Sequence, residues 1–76
     1  MFKEKKTKLS AKQKARLINH YDIDKVIFYA YLCKLEETQM ERIEVIYMGG
    51  ASEYFYPNGE DMDFIINGIQ LTRKEN

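Results

Sequence analysis

Residues 25–48 of this 76-residue chain read KVIFYAYLCKLEETQMERIEVIYM, and this stretch decides the fold. It contains no Gly, Pro, Asn or Asp, so no residue in it marks a turn by the usual side-chain chemistry. Its first part, residues 26–33, is a continuous apolar run rich in β-branched and aromatic side chains. Such a run is typical of a strand covered on both faces, and we therefore predict a strand within residues 25–37.

A helix is the alternative for residues 25–37, because Asp24 is a suitable N-cap and the later residues of the segment are good helix formers. If the segment is a strand, the chain must turn near residues 37–40. Residues 42–48 indicate a second strand more clearly, because apolar and charged side chains alternate there. The apolar set is Ile43, Val45 and Tyr47.

A helix is predicted on the N-terminal side, over residues 10–21. Ser10 can cap it, and Gln13 three positions later completes a capping box. Leu17, Ile18 and Tyr21 share one face, which should lie against a sheet. Residues 1–9 show no apolar periodicity, so we predict a basic flexible arm there, followed by one small domain over residues 10–76.

The C-terminal third contains further strand and turn signals. Residues 53–56 are predicted as a strand, and Pro57 to Gly59 turn the chain. Asn67 and Gly68 are the preferred pair for a two-residue hairpin turn, and apolar segments flank them. The sequence therefore predicts an α+β fold, with an N-terminal helix packed on a mainly antiparallel sheet of four to five short strands.

Composition limits how such a domain can be stabilised. A chain of 9.1 kDa buries only about 60% of the surface that its unfolded form exposes. Its one cysteine cannot form an internal disulfide, and one Cys with one His cannot hold a structural zinc ion. The longest apolar run is eight residues, and charges follow Met1 and Phe2, so we expect neither a membrane span nor a signal peptide, and a cytoplasmic location.

The formal net charge of zero hides a strong polarity along the chain. Residues 1–16 carry seven Lys or Arg and one Glu, a net charge of +6. The remaining residues carry five cations and eleven carboxylates, a net charge of −6. A basic head and an acidic body suit the recognition of a charged partner, or head-to-body contact between copies of the chain.

Residues that could support catalysis or metal binding do not form a recognisable set. Cys33 lies in the most apolar run, where a thiol is a poor nucleophile, and His20 is its only possible imidazole partner. Glu60, Asp61 and Asp63 are predicted as a solvated acidic hairpin tip. Gly49 and Gly50 precede a strand, so they are expected to form a bend and not a phosphate-binding loop. We therefore expect no enzymatic activity, no metal and no cofactor.

Two binding surfaces are predicted instead. The first is a basic surface that could neutralise phosphates with weak sequence specificity. It comprises Lys3, Lys5, Lys6, Lys8, Lys12, Lys14 and Arg16. The second is an acidic, tyrosine-bearing sheet surface formed by Glu53, Tyr54 and Tyr56, provided that Phe55 lies in the core.

These surfaces predict a small non-enzymatic protein that acts by protein–protein interaction through the tyrosine surface. Self-association is included in that expectation. Small regulators and inhibitors from bacteria and their phages often have this build, which is an analogy at the level of the fold alone. The alternative function is nucleic-acid binding through the basic arm and helix.

Overall fold

The computed structural model describes residues 3–69, which form one antiparallel sheet and two helices. The elements are β1 (Glu4–Lys8), α1 (Ala11–Tyr21), β2 (Ile27–Leu35), β3 (Met40–Tyr47), β4 (Ser52–Phe55) and α2 (Gly59–Asn67). The four strands lie in the order β1-β2-β3-β4, and each pairs antiparallel with its neighbour. The predicted α+β class is confirmed, with the N-terminal helix on the sheet.

The long segment without turn residues forms the central hairpin of the sheet. Strand β2 confirms the strand prediction for residues 25–37, and the helix alternative was wrong there. Residues 36–39 make the turn, in which Gln39 adopts a positive φ of 60°. Gly49 and Gly50 then form the bend between β3 and β4, as predicted, with φ of 108° and 97°. Because a strand follows that bend, it does not open a helix onto which a phosphate could dock.

Helix α1 begins with the predicted capping box. The Ser10 Oγ accepts a hydrogen bond from the Gln13 backbone N at 3.2 Å, and the Gln13 Oε1 accepts one from the Ser10 backbone N at 2.7 Å. The helix ends at Asp22, whose φ of 53° is left-handed. Leu17 is fully buried and is the residue through which α1 is anchored in the core.

The prediction of a flexible basic arm was wrong for residues 4–8. They form the edge strand β1, which places Lys6 opposite Cys33 and Lys8 opposite Tyr31. All five residues of β1 are exposed, so the segment has no apolar alternation that would indicate a strand. Lysine-rich edge strands are common because their charges oppose pairing with another chain.

The prediction of a hairpin around Asn67 and Gly68 was also wrong. Residues 59–67 form α2, which Asn58 caps by accepting a hydrogen bond from the Asp61 backbone N at 2.8 Å. Gly68 ends this helix with a left-handed φ of 73°. Asn-Gly serves a helix end as well as a tight turn, because both need positive φ. The second strand of the predicted hairpin was expected over residues 69–73, of which residues 70–73 lie outside the described residues.

Both helices contribute to a core on one face of the sheet. The buried hydrophobic cluster comprises Leu9, Leu17, Ala30, Ile43, Val45, Tyr47, Met62 and Ile65. The ring of Tyr21 in α1 packs against that of Phe55 in β4, with centroids 4.5 Å apart. Side chains alternate along each strand, so every second side chain of β1 to β4 lies on the opposite face, where the described chain places neither helix.

Candidate binding face

We call this second surface of the sheet the open face. Its members follow from the alternation of side chains with the core residues of β2, β3 and β4, and from the register that pairs β1 with β2. The open face comprises Glu4, Lys6 and Lys8 of β1, Tyr29, Tyr31, Cys33 and Leu35 of β2, Met40, Arg42, Glu44 and Ile46 of β3, and Ser52 and Tyr54 of β4 with Tyr56 just beyond it.

The predicted tyrosine surface is present in part. Phe55 packs against the core, and Tyr54 and Tyr56 lie on the open face with 40% and 62% of their surface exposed. Glu53 does not join them. It alternates to the other side, where its Oε1 accepts a hydrogen bond from the Tyr47 hydroxyl at 2.8 Å. Burial, together with this hydrogen bond, raises the pKa of Tyr47 to about 12.

Arg42 connects the two tyrosines. Its guanidinium lies over the Tyr54 ring, 4.0 Å from the centroid, and its Nη1 donates to the Tyr56 hydroxyl oxygen at 3.4 Å. Its Nη2 donates to the Glu4 carboxylate at 3.1 Å. The hydrogen bond to Tyr56, with that to Glu4, raises the pKa of Arg42 above its usual range, so the side chain stays charged. We call Arg42, Tyr54 and Tyr56 the Tyr–Arg cluster.

The sequence prediction missed Arg42 as a candidate site residue. Its alternation with Ile43 already indicated an outward side chain, and that signal was available. The register of β3 with β4 places Glu44 opposite Tyr54 and Ile43 opposite Phe55. No signal in the sequence indicated this register. Because register depends on turn length and burial across the sheet, the neighbours of an outward residue do not follow from its own strand.

Part of the basic surface lies beside the tyrosines. The Lys6 ammonium pairs with the Glu44 carboxylate at 3.0 Å, and the Tyr54 hydroxyl donates to the other oxygen of Glu44 at 3.4 Å. This hydrogen-bonded pairing raises the pKa of Lys6. The Lys8 ammonium lies 4.6 Å from the centroid of the Tyr29 ring. Pairing of β1 with β2 therefore joins two surfaces that the sequence analysis treated as separate.

The rest of the basic surface is divided between other parts of the molecule. Lys3 and Lys5 alternate with the lysines of the open face, and Lys12 and Lys14 lie on α1. Arg16, which is also part of the predicted phosphate-binding surface, contacts the end of α2. Its Nε donates to the Ile65 carbonyl at 3.0 Å and its Nη2 to the Ile66 carbonyl at 3.2 Å, so it stabilises the end of α2.

The expectation of an acidic sheet surface was wrong as well. The open face has three cations and two carboxylates, so its formal charge is +1. Glu60, Asp61 and Asp63, which were expected at a hairpin tip, lie in α2. Glu60 and Asp61 are in its first turn, where carboxylates are favoured by the helix dipole.

A cavity of about 380 Å³ opens beside the Tyr–Arg cluster, where the open face approaches the β2–β3 turn. Leu35, Met40 and Tyr56 line it together with Glu4, Arg42 and the buried Cys33. Met40 has 60% of its surface exposed, so an apolar side chain meets solvent at the edge of the cavity. The cavity thus combines an apolar lining with the Arg42–Glu4 ion pair and with a further acidic residue, Glu41, which alternates to the other side of β3.

Cys33 and His20 do not form a catalytic pair. Cys33 belongs to the open face, whereas His20 is on α1, on the other side of the sheet, with its Nε2 3.2 Å from the Asp61 carboxylate. Burial is the main cause that raises the pKa of the Cys33 thiol, and nearby carboxylates add to it. A thiol in such a place is a weak nucleophile.

We therefore expect Cys33 of the folded protein to react with an aromatic disulfide reagent at least about tenfold more slowly than the same thiol in concentrated urea, because reaction requires local opening. Absorbance of the released thiolate at mildly alkaline pH measures both rates. Equal rates in the two conditions would show that the thiol is accessible and would contradict the burial described above.

Neither the side-chain chemistry of the described residues nor the comparisons with known proteins assign this chain to a known class of protein. Within residues 3–69, no three His, Cys, Asp or Glu side chains form a group that could hold a metal ion. Neither α1 nor α2 has the length and apolar character that crossing a membrane requires. Comparisons with protein-family models, curated proteins and solved structures found no match to this chain. The open face is therefore the feature of the described residues from which a function can be inferred.

Proposed function

We propose that this protein is a small non-enzymatic binding protein that captures another protein through its open face. The observation that carries the proposal is the Tyr–Arg cluster, which lies on a sheet face that neither described helix covers. Tyrosine and arginine contribute binding energy at protein interfaces more often than other residues, because they combine a large contact area with polar groups.

The cluster is organised before any partner arrives. Arg42 contacts the ring of Tyr54, the hydroxyl of Tyr56 and the carboxylate of Glu4, so its long side chain is already ordered. Tyr54 is held further by Glu44. Ordering a flexible side chain on binding costs about 0.5–1.5 kcal/mol, so an ordered cluster binds with a smaller loss of entropy.

Binding of single-stranded nucleic acid is the second candidate, because Lys6 and Lys8 share the open face with tyrosines. Bases bind such surfaces by stacking on aromatic rings. On the open face, however, Arg42 covers the ring of Tyr54 and Lys8 lies over that of Tyr29. Lys6 is already paired with Glu44. Protein binding is favoured because a cation already occupies one face of the Tyr54 ring and of the Tyr29 ring, where a base would stack.

The test is the double variant Tyr54→Ala/Tyr56→Ala, used as immobilised bait with a lysate of the native host. We expect its yield of the proteins that the wild type retains to fall by at least about tenfold, since two interface anchors are lost. Its melting temperature should stay near that of the wild type, because both side chains are exposed. Quantitative mass spectrometry of the eluates measures the yield.

Val26→Ala/Met48→Ala is the matched control, because these residues are also exposed and apolar but lie beyond the ends of β2 and β3. It should retain the same proteins as the wild type. If the tyrosine variant also retains them, the open face is not the binding surface. Salt-dependent binding of a single-stranded oligonucleotide that is lost in Lys6→Gln/Lys8→Gln would support the second candidate instead.

A further inference from the structure

The cations of the open face are more exposed to solvent than its carboxylates. The Lys6 side chain is 47% exposed, whereas that of its partner Glu44 is only 14% exposed. Glu44 is covered because Lys6 and Tyr54 both bind it. Lys8 is exposed and lies against a tyrosine ring instead of a carboxylate. A partner approaching this face therefore meets a positive surface, which complements negative charge.

The ion pair between Arg42 and Glu4 can be exchanged for a pair with a partner. Both side chains are about one third exposed, at 34% and 30%. Pairs of this exposure contribute little net stability, so replacing the Glu4 carboxylate with an incoming one costs little. The guanidinium is then held in place by Tyr54 and Tyr56 while it binds the new carboxylate.

The cavity beside Arg42 is suited to a different group. Its volume of about 380 Å³ is at the lower end of the range of ligand pockets, which is about 300–1,000 Å³. Leu35, Met40 and the ring of Tyr56 give it an apolar lining. Methionine side chains are flexible and adapt to the shape of an apolar group. One large apolar side chain of a partner would fill this space and cover the exposed Met40.

We infer that the partner protein presents an acidic segment in which a large apolar side chain enters this cavity and a neighbouring carboxylate pairs with Arg42. The inference rests on the proposed function and specifies the chemistry of the partner. A further carboxylate of the segment lies over Lys8, whose ammonium contacts the Tyr29 ring instead of a carboxylate. The apolar group supplies burial, and the carboxylate fixes the position of the segment on the sheet.

A displayed library of random peptides tests this chemistry with a defined probe. Selection on the wild-type protein should enrich peptides in which an aromatic or large aliphatic residue adjoins Asp or Glu. Synthetic copies of these peptides should bind at least about tenfold more weakly to Met40→Ala and to Arg42→Gln, because each variant removes one of the two contacts. Fluorescence anisotropy of the labelled peptides measures the dissociation constants.

Met48→Ala and Lys34→Gln are the matched controls. Met48 is 53% exposed but follows the other end of β3, and Lys34 is exposed on the other side of β2. Both controls should bind the peptides within about twofold of the wild type. Amide chemical shifts of the wild type, measured with and without peptide, should change around Leu35, Met40 and Tyr56. This measurement uses the wild-type protein alone, so it does not depend on whether a variant folds.

Several results would overturn the inference. Enrichment of basic peptides, no enrichment, or unchanged binding to both Met40→Ala and Arg42→Gln would each do so. Competition by single-stranded oligo(dT) would point to nucleic acid, and sedimentation as a dimer that Met40→Ala abolishes would point to a second copy of this chain. If capture from lysate depends on Tyr54 and Tyr56 while peptide selection fails, the proposed function stands and this inference alone is wrong.

Discussion

Leu17→Ala is expected to lower the free energy of unfolding by about 3–5 kcal/mol, because Leu17 is completely buried beneath the sheet. The loss combines the transfer energy of the missing methyl groups with the cost of the cavity that they leave. Leu17 is the one residue of α1 that the core buries fully.

This loss is large in relation to the size of the domain. Domains are stabilised by about 0.05–0.15 kcal/mol per residue, which for this chain is about 4–11 kcal/mol. Leu17→Ala therefore removes between about a quarter of the stability and all of it. Urea unfolding followed by far-ultraviolet circular dichroism measures the change in the free energy of unfolding.

Lys12→Ala is the control for this prediction, since Lys12 is exposed on the same helix and alanine is also a good helix former. It should change the free energy of unfolding by less than about 0.5 kcal/mol. A loss below about 1 kcal/mol in Leu17→Ala would mean that α1 is not anchored on the sheet as described.

Arg16→Met is expected to lower the free energy of unfolding by about 1–3 kcal/mol, because a charged donor to two backbone carbonyls is lost. The carbonyls of Ile65 and Ile66 are in the last turn of α2, where intrahelical partners are missing. The guanidinium also lies against Gly68, since a Cβ there would be 3.3 Å from the Arg16 Nη1. Methionine keeps the apolar part of the side chain, so the loss reports on the hydrogen bonds.

Lys12→Met removes a cation of the same predicted basic surface from an exposed position on α1 and is expected to be nearly neutral. Thermal unfolding of the two variants at equal protein concentration compares them directly. If both variants are equally stable, Arg16 does not stabilise the end of α2, and its assignment to a phosphate-binding surface becomes tenable again.

The predictions that held were those that depend on short-range chemistry. The capping box of α1 involves Ser10 and Gln13 alone, and both hydrogen bonds are present. The strand in residues 25–37 follows from a run of β-branched and aromatic side chains. The outward direction of Tyr54 and Tyr56 follows once Phe55 is inward, because successive side chains of a strand alternate.

The two errors in secondary structure have different physical causes. Residues 59–67 contain apolar positions that fit a strand pair as well as a helix, and Asn67–Gly68 fits the end of either. The helix is stabilised because α2 packs against α1, and because Gln13 and Arg16 of α1 donate hydrogen bonds to the last carbonyls of α2. Strand β1 was missed because an exposed edge strand carries no apolar pattern, and only its pairing with β2 makes it a strand.

The sequence by itself determined the class of the fold, the start of α1 and the alternation within β3 and β4, because each follows from residues a few positions apart. Tertiary structure alone decided which residues share the open face. Lys6, Arg42 and Tyr54 come from three strands, and pairing of those strands brings them together around Glu44 and Glu4. Their neighbourhood is set by register across the sheet, to which residues far apart in the chain contribute jointly.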